Sequence, residues 1–401
     1  ALFEADLMKE QRPKGPAIHS SNGEQSWPGI EAAFCRSTGV KDLDKHFKPE
    51  VLEASDKYKT LSIGRLLLLA AQANGYVGNP WVDSGTLRPI LEAAFTTHNI
   101  TDMLTRTGNK VLLDGFALAP ATWREVCSTK AVKDFKATRL FRMTESLEYK
   151  EIGPAGEFHH GALGQEYYDV QAKTYGRMLA LTRQDLINDD LGAFDDIRRR
   201  LGMYAGITIN KLVWTAWLAQ SNAGTFWTAA RKNYQSGATT TLSEAGINSA
   251  VALFRQMRMP APAGADATDE TGLLNLYPTK VICPPDLEAT ARKFYVAQEM
   301  RDTTASTKYP TANIWFNQFR PVIVPELSDT AYTGYSATAW WLACEPSMLA
   351  TFNVCFLNGV EQPVIESTDA DFETLGIRFR AYTDFGVDDA EYRASFHSAG
   401  A

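Results

Sequence analysis

Phe135-Lys136-Ala137-Thr138-Arg139-Leu140-Phe141-Arg142-Met143-Thr144-Glu145-Ser146-Leu147-Glu148-Tyr149-Lys150 is the stretch whose reading decides the fold. Its odd positions carry Phe135, Ala137, Phe141, Met143, Leu147 and Tyr149, and its even positions are mostly polar. That alternation is the period of a half-buried strand, about 50 Å long at roughly 3.3 Å per residue. Gly153, Pro154, Gly156, Gly161 and Gly164 follow and form a turn-rich tip. A return strand is expected over residues 166–181, with Tyr168, Val170, Ala172, Met178 and Ala180 on one side. A solitary two-stranded ribbon of this length is marginal in water. Its apolar side needs cover, and a second copy of the chain is the most economical source.

The next segment changes period. Leu191, Phe194, Ile197, Leu201, Tyr204, Thr208 and Leu212 recur at steps of three or four, which predicts a helix over about 189–219 with these residues as its packing stripe. Asp185, Asp189, Asp190, Asp195 and Asp196 crowd its start, where negative charge complements the helix dipole. Arg198, Arg199 and Arg200 come next. Three consecutive arginines splay around a helix. With Asp195 and Asp196 they read as a ring of inter-subunit ion pairs, and alternatively as a stripe touching DNA.

Outward from this centre, residues 1–57 are rich in Gly, Pro, Ser and charge and read as an extended arm. Helical patterns cover 60–73 and 87–95, another opens at Thr101, and a further helix is expected over 120–134. Thr241 with Glu244 suggests a capping box before Ile247, Val251 and Phe254. Strands are expected at 280–283, 314–319, 321–324 and around Trp340 and Trp341, and a helix after Pro284-Pro285-Asp286. The tail reads as strands at 352–357, 362–366 and 377–384, with Asn358-Gly359 as a hairpin turn. The whole is α+β.

The 401 residues are 45% hydrophobic and 22% charged, which fits a globular chain with a sizeable core. The net charge of −7 argues against a free-standing nucleic-acid binder and does not exclude a protein that encloses nucleic acid without gripping it. Cys35, Cys127, Cys283, Cys344 and Cys355 show no C-x-x-C spacing and read as reduced, buried thiols. The longest apolar run, Leu66–Ala71, is too short to span a bilayer. The sequence starts at Ala1, and removal of an initiator Met or of a longer leader would each account for it.

Chemistry is sparse. G-x-S-x-G, G-x-x-x-x-G-K-[ST], H-E-x-x-H and G-x-G-x-x-G do not occur. His159 and His160, near Glu157 and Glu166, could be imagined around a metal, but neighbours on an extended segment face opposite ways, so a solvated loop is the better reading. No cofactor or metal is expected. A hydrolase with a pocket in residues 236–344 is the alternative to a structural role, and a structural component of a different assembly a third reading.

Several patches carry a family resemblance: Asn109-Lys110-Val111-Leu112-Leu113-Asp114-Gly115-Phe116, Thr122-Trp123-Arg124, Thr174-Tyr175-Gly176-Arg177, the run from Ala180 to Phe194, Leu357-Asn358-Gly359, Pro363, Phe385-Gly386-Val387 and Tyr392-Arg393. Over about residues 100–395 the chain resembles the major capsid proteins of tailed bacteriophages with the Hong Kong 97-type fold, notably Mu-like major head subunits and the capsid half of prohead protease–capsid fusions. The resemblance implies an arm with leading helices in 1–115, a peripheral domain in 116–136, 182–235 and 345–401, an E-loop hairpin in 137–181, a spine helix opening 182–235, and an axial domain in 236–344. It implies that Gly153, Pro154, Gly156, Glu157, His159, His160 and Gly161 touch a neighbouring subunit. It further implies hexamers and pentamers of the chain, a portal, companions such as scaffold, protease or decoration proteins, enclosed double-stranded DNA, no membrane, assembly in the host bacterial cytoplasm and residence in the virion. An Ala1 exposed by a maturation protease would mark the mature form.

Overall fold

The computed structural model describes residues 26–40, 42–58, 61–79, 86–95, 99–146, 162–181, 191–258, 273–300, 311–367 and 377–400. Two compact units divide the chain: Ala1–Val111, Ala180–Asp196 and Ser367–Arg378 in one, and Leu112–Leu179, Ile197–Glu366 and Phe379–Ala401 in the other.

The first unit is helical. Helices α1 (Trp27–Ser37), α2 (Leu43–His46), α3 (Pro49–Ser55), α4 (Ile63–Ala73), α5 (Leu87–Ala94) and the start of α6 (Asn99–Ala117) follow one another. Ser26 caps α1 by accepting from Gly29 N, and Ser62 caps α4 by accepting from Arg65 N. Ile30, Phe34 and Cys35 are fully buried. The arm expected over residues 1–57 is therefore helical and packed from Trp27 to Tyr58, while residues 1–25 lie outside the described ones. The burial of Gly29 to Cys35 in α1 outweighs the Gly, Pro and charge of the segment. The apolar run Leu66–Ala71 sits inside α4, and among the described residues no helix is long and apolar enough to cross a membrane.

The second unit holds the strands. They are β1 (Cys127–Val132), β2 (Thr138–Ser146), β3 (Ala162–Val170), β4 (Lys173–Leu181), β5 (Tyr234–Gln235), β6 (Lys280–Cys283), β7 (Glu299–Met300), β8 (Thr311–Ala312), β9 (Arg320–Ile323), β10 (Trp340–Ala343), β11 (Phe352–Leu357), β12 (Val364–Ser367), β13 (Ile377–Asp389) and β14 (Ser395–Ser398). Helices α7 (Leu191–Ala223), α8 (Glu244–Arg255) and α9 (Glu288–Val296) accompany them. The class is α+β, as the sequence implies.

One sheet runs β1-β11-β13-β12, with β4 also on β13. The other runs β5-β14-β10-β6-β9. Along β10, Trp341 and Ala343 face one core while Trp340 and Leu342 face another, as the alternation of a strand requires. The first core joins this sheet to α7 and to β11 through Trp214, Trp217, Phe352 and Phe385. The second covers the opposite face with Ile247, Val251 and Phe254 of α8 and Phe294 of α9. Because β14 sits between β5 and β10, residues 395–398 belong with the sheet of residues 234–343, away from the other tail strands.

Strands β2 and β3 pair antiparallel from Thr138 with Val170 to Ser146 with Ala162. The return leg is not one strand: it breaks at Gln171–Ala172, and β4 pairs with β13. The helix expected over 120–134 is a short 3-10 turn at Thr122–Glu125 followed by β1. β1 pairs in parallel with β11 and is buried only at its ends, Cys127 and Val132. The strand expected at 314–319 is a run of turns up to Gln318, with Asn317 at φ 56°. Ser243, not Thr241, caps α8, accepting from Gly246 N at 3.2 Å. Asn358 and Gly359 do adopt positive φ, 53° and 74°, yet β13 lies between β11 and β12, so the turn closes no hairpin.

α7 is 33 residues long, about 50 Å at 1.5 Å per residue. It crosses the end of α6 closely. A Cβ on Gly202 would fall 1.9 Å from Leu112 O, and one on Gly115 would fall 1.9 Å from Arg199 O. Only glycine permits that approach.

Candidate assembly surfaces

The packing stripe expected on α7 is offset from the one that packs. Ile209, Val213, Trp214, Trp217 and Leu218 are fully buried. Leu201 is half-buried and Tyr204 is 59% exposed, which corrects the reading of both as core. Leu191, Phe194 and Ile197 lie in the helix, with side chains outside the described set, as do those of Asp195 and Asp196. Arg198 is fully buried, its guanidinium 4.7 Å over the Phe379 ring. It is therefore removed from any inter-subunit ion pair or DNA stripe. Arg199 is half-buried and Arg200 exposed. The tip residues Gly153, Pro154, Gly156, Glu157, His159, His160 and Gly161 lie outside the described residues.

Leu201 and Tyr204 instead line a groove of about 710 Å³ with Tyr175, Met178, Pro363 and Tyr382. Its walls are α7, β4 and β13. Met178 is 69% exposed, so two large apolar side chains face solvent across one depression. β4 pairs with β13 alone among the described residues. Lys173, Thr174, Gly176, Arg177 and Met178 of β4 are all exposed. An open edge with apolar neighbours is a surface that natural proteins cover. At the base of the β2–β3 ribbon Leu140 and Tyr168 pack on Val132, Val170, Ala172 and Cys355. Tyr167 stays exposed under the guanidinium of Arg139, which is paired with Asp169 at 3.1 Å.

Sequence reasoning missed the buried polar ties that fix these surfaces. Lys280 is 2% exposed on β6, and its ammonium lies 2.9 Å from both Glu125 Oε2 and Glu345 Oε2 and donates to Glu125 O at 3.0 Å. Arg320 also pairs with Glu125. Burial pushes the Glu125 carboxyl up, but the Lys280 hydrogen bond and the charges of Lys280 and Arg320 outweigh it and hold the group below the usual carboxylate range. Asn210 on α7 accepts from Thr122 Oγ1 and Trp123 N at 2.8 and 3.2 Å and donates to Glu326 Oε1 at 2.7 Å. A lone lysine in Lys280-Val281-Ile282-Cys283 was the visible signal for the first tie. Nothing in sequence spacing marks the second.

The described side chains supply little for catalysis. All five thiols are buried and unpaired with one another. Burial pushes Cys283 up to about 12 and Cys344 and Cys355 up to about 11, far from a reactive thiolate. Among the described residues no group of three or more His, Cys, Asp or Glu could hold a metal ion.

The family described as phage capsid protein matches residues 166–397, from β3 through both sheets into β14. This chain belongs to that family. The capsid protein is thus a structural component of a virion. Three solved structures similar to it come from Mycobacterium phage Adephagia (9% identity, 70% of this chain and 88% of that chain, TM-score 0.42), the mature capsid of bacteriophage PhiM1 (12%, 70% and 87%, 0.43) and the procapsid of bacteriophage JBD30 (15%, 75% and 75%, 0.39). No curated protein matches the sequence.

Proposed function

We propose that the chain is a major head subunit of the Hong Kong 97 type, which self-assembles as hexamers and pentamers into an icosahedral shell around double-stranded DNA and catalyses no reaction. The observation that carries this is the open β4 edge beside an apolar groove, in a member of a capsid family. A closed shell covers such surfaces by repeating one contact between many copies. In this reading β2, β3 and the residues 147–161 between them are the E-loop reaching over a neighbour, and α7 is the spine. The peripheral sheet is β1-β11-β13-β12. The axial domain is residues 236–344 together with β5 and β14. Residues 1–115 are the arm and its leading helices. A net charge of −7 lets packed DNA stay mobile against the wall. A portal, and scaffold, protease or decoration proteins, are the companions such a head uses, and assembly takes place in the bacterial cytoplasm.

The test is electron microscopy of the purified, full-length chain. Closed particles of uniform diameter are expected. Monomers that persist at every concentration and ionic strength, or a measured hydrolase activity abolished by single substitutions in residues 236–344, would overturn the proposal.

A further inference from the structure

β14 occupies an inner position of its sheet, antiparallel to β10 and parallel to β5, and all four of its residues are buried. Phe396 enters the core under α8 and α9. His397 lies in a box of aromatic rings. The Trp341 ring of β10 stacks on it at 4.8 Å and 8°, the Tyr234 ring of β5 lies at 5.2 Å, and the Trp227 ring lies at 5.7 Å. Its Nδ1 is buried with no hydrogen-bond partner. The only titratable group facing the imidazole from β5 is the Tyr234 phenol. β10 brings an indole, and the 226–233 segment brings Trp227 and Asn233, whose carbonyl accepts from His397 N at 2.9 Å. The nearest charges along the chain are committed elsewhere: Glu391 and Arg393 pair at 2.8 Å, and Arg231 sits 4.2 Å over the Tyr392 ring. No carboxylate among the described residues bonds the ring, so a proton there would find no counter-charge. Burial accordingly holds the imidazole down to about 3. The Trp341 face would offset part of that cost as a cation–π partner.

The strand pins what flanks it. Trp227 Nε1 donates to Ser395 Oγ, Asn233 Nδ2 to Tyr392 O, Gln235 Nε2 to Ser398 Oγ, and Ser398 Oγ to Thr240 O. We propose that β14 is an acid-released strap, in which a proton taken up by His397 drives the strand out of the sheet and frees residues 226–240. This goes beyond the shell-building role and does not depend on it.

Sign and size follow from linkage. A histidine held low when folded and near 6.5 when released favours the open strand as pH falls below 6.5. From pH 7.5 to 4.5 the opening equilibrium should rise about 100-fold. The experiment is hydrogen exchange read by mass spectrometry on the full chain at both pH values, corrected for intrinsic rates, in wild type, His397→Phe and His397→Gln. Residues 392–400 of wild type should open at least tenfold more at pH 4.5. Both variants should stay within about threefold, and residues 209–218 of α7 should be unchanged in all three. A wild-type strand unaffected by acid, an equal rise in the variants, or a rise shared by α7 would each overturn the proposal. If His397→Phe does not fold, His397→Gln and an NMR titration of the wild-type ring decide, and a ring titrating near 6 in the folded chain contradicts the strap.

Discussion

β10 and the first seven residues of β4, Lys173 to Leu179, belong to one unit, and they meet solvent in opposite ways. Trp340, Trp341, Leu342 and Ala343 are buried on both faces of β10, between two cores. On β4 five consecutive-register positions from Lys173 to Met178 are exposed, interrupted by the half-buried Tyr175. The first strand is complete within one chain. The second presents an unpaired edge and an apolar wall for which the chain offers no cover among the described residues. In the proposed shell the same backbone geometry would serve stability in one place and association in the other, and the deciding variable is who supplies the opposite face.

That contrast can be broken at its buried end first. Trp217 touches Trp214, Trp227, Trp341 and Phe352 with ring centroids 4.9 to 6.2 Å apart. Trp217→Ala should cost about 3–5 kcal/mol in urea unfolding, and an unchanged midpoint would show that the aromatic layer is not the core's centre. Lys280→Ala takes the ammonium from Glu345 and leaves Glu125 with Arg320 as its cation. Loss of a fully buried pair costs about 3–5 kcal/mol. Because both carboxylates are partly exposed, about 2–3 kcal/mol is expected here by calorimetry. The Glu125 contribution has a definite pH sign. Its folded carboxyl is held low, so its stabilisation is present above the ordinary carboxylate range and is lost as pH falls through the folded value. Wild type should therefore lose more stability below pH 4.5 than Glu125→Gln does. Asn210→Ala should cost about 1–3 kcal/mol by leaving Thr122, Trp123 N and Glu326 without their partner.

The exposed end gives the smallest effect on folding. Met178→Ser with Tyr204→Ser should move unfolding by less than about 0.5 kcal/mol, yet prevent particles from forming. A large loss of subunit stability would mean that the groove serves the chain's own core.

Where the sequence was legible, pattern and burial coincided. β6, β10 and β11 are short apolar runs buried on both faces, and the register of their burial leaves no other reading. α7 was visible from its period, but its stripe was read one residue, about 100° around the helix, away from the buried one: Thr208 and Leu212 were named where Ile209 and Val213 are buried. Its first half borders a groove, so Tyr204 and Leu201 carry apolar character without being core. β1 escaped because only Cys127 and Val132 are buried. Helices α1 to α3 escaped beneath a polar composition rich in Gly and Pro: α2 buries no residue, α3 buries only Ser55, and α1 is buried all along Gly29 to Cys35. The Asn358-Gly359 turn was right in conformation and wrong in partner: local chemistry fixes φ, while strand order is a tertiary choice. Of the assembly residues, the groove members Leu201 and Tyr204 were found, under a different role, and the ties at Lys280 and Asn210 were not. Partners many tens of residues apart leave no mark in spacing.

Sedimentation of the chain lacking residues 153–161, set beside wild type, tests the division between a self-sufficient core and a ribbon that needs sister copies most directly. The account predicts a folded, soluble monomer with unfolding unchanged and no particles, where wild type yields closed shells. Normal shells from the shortened chain would contradict it.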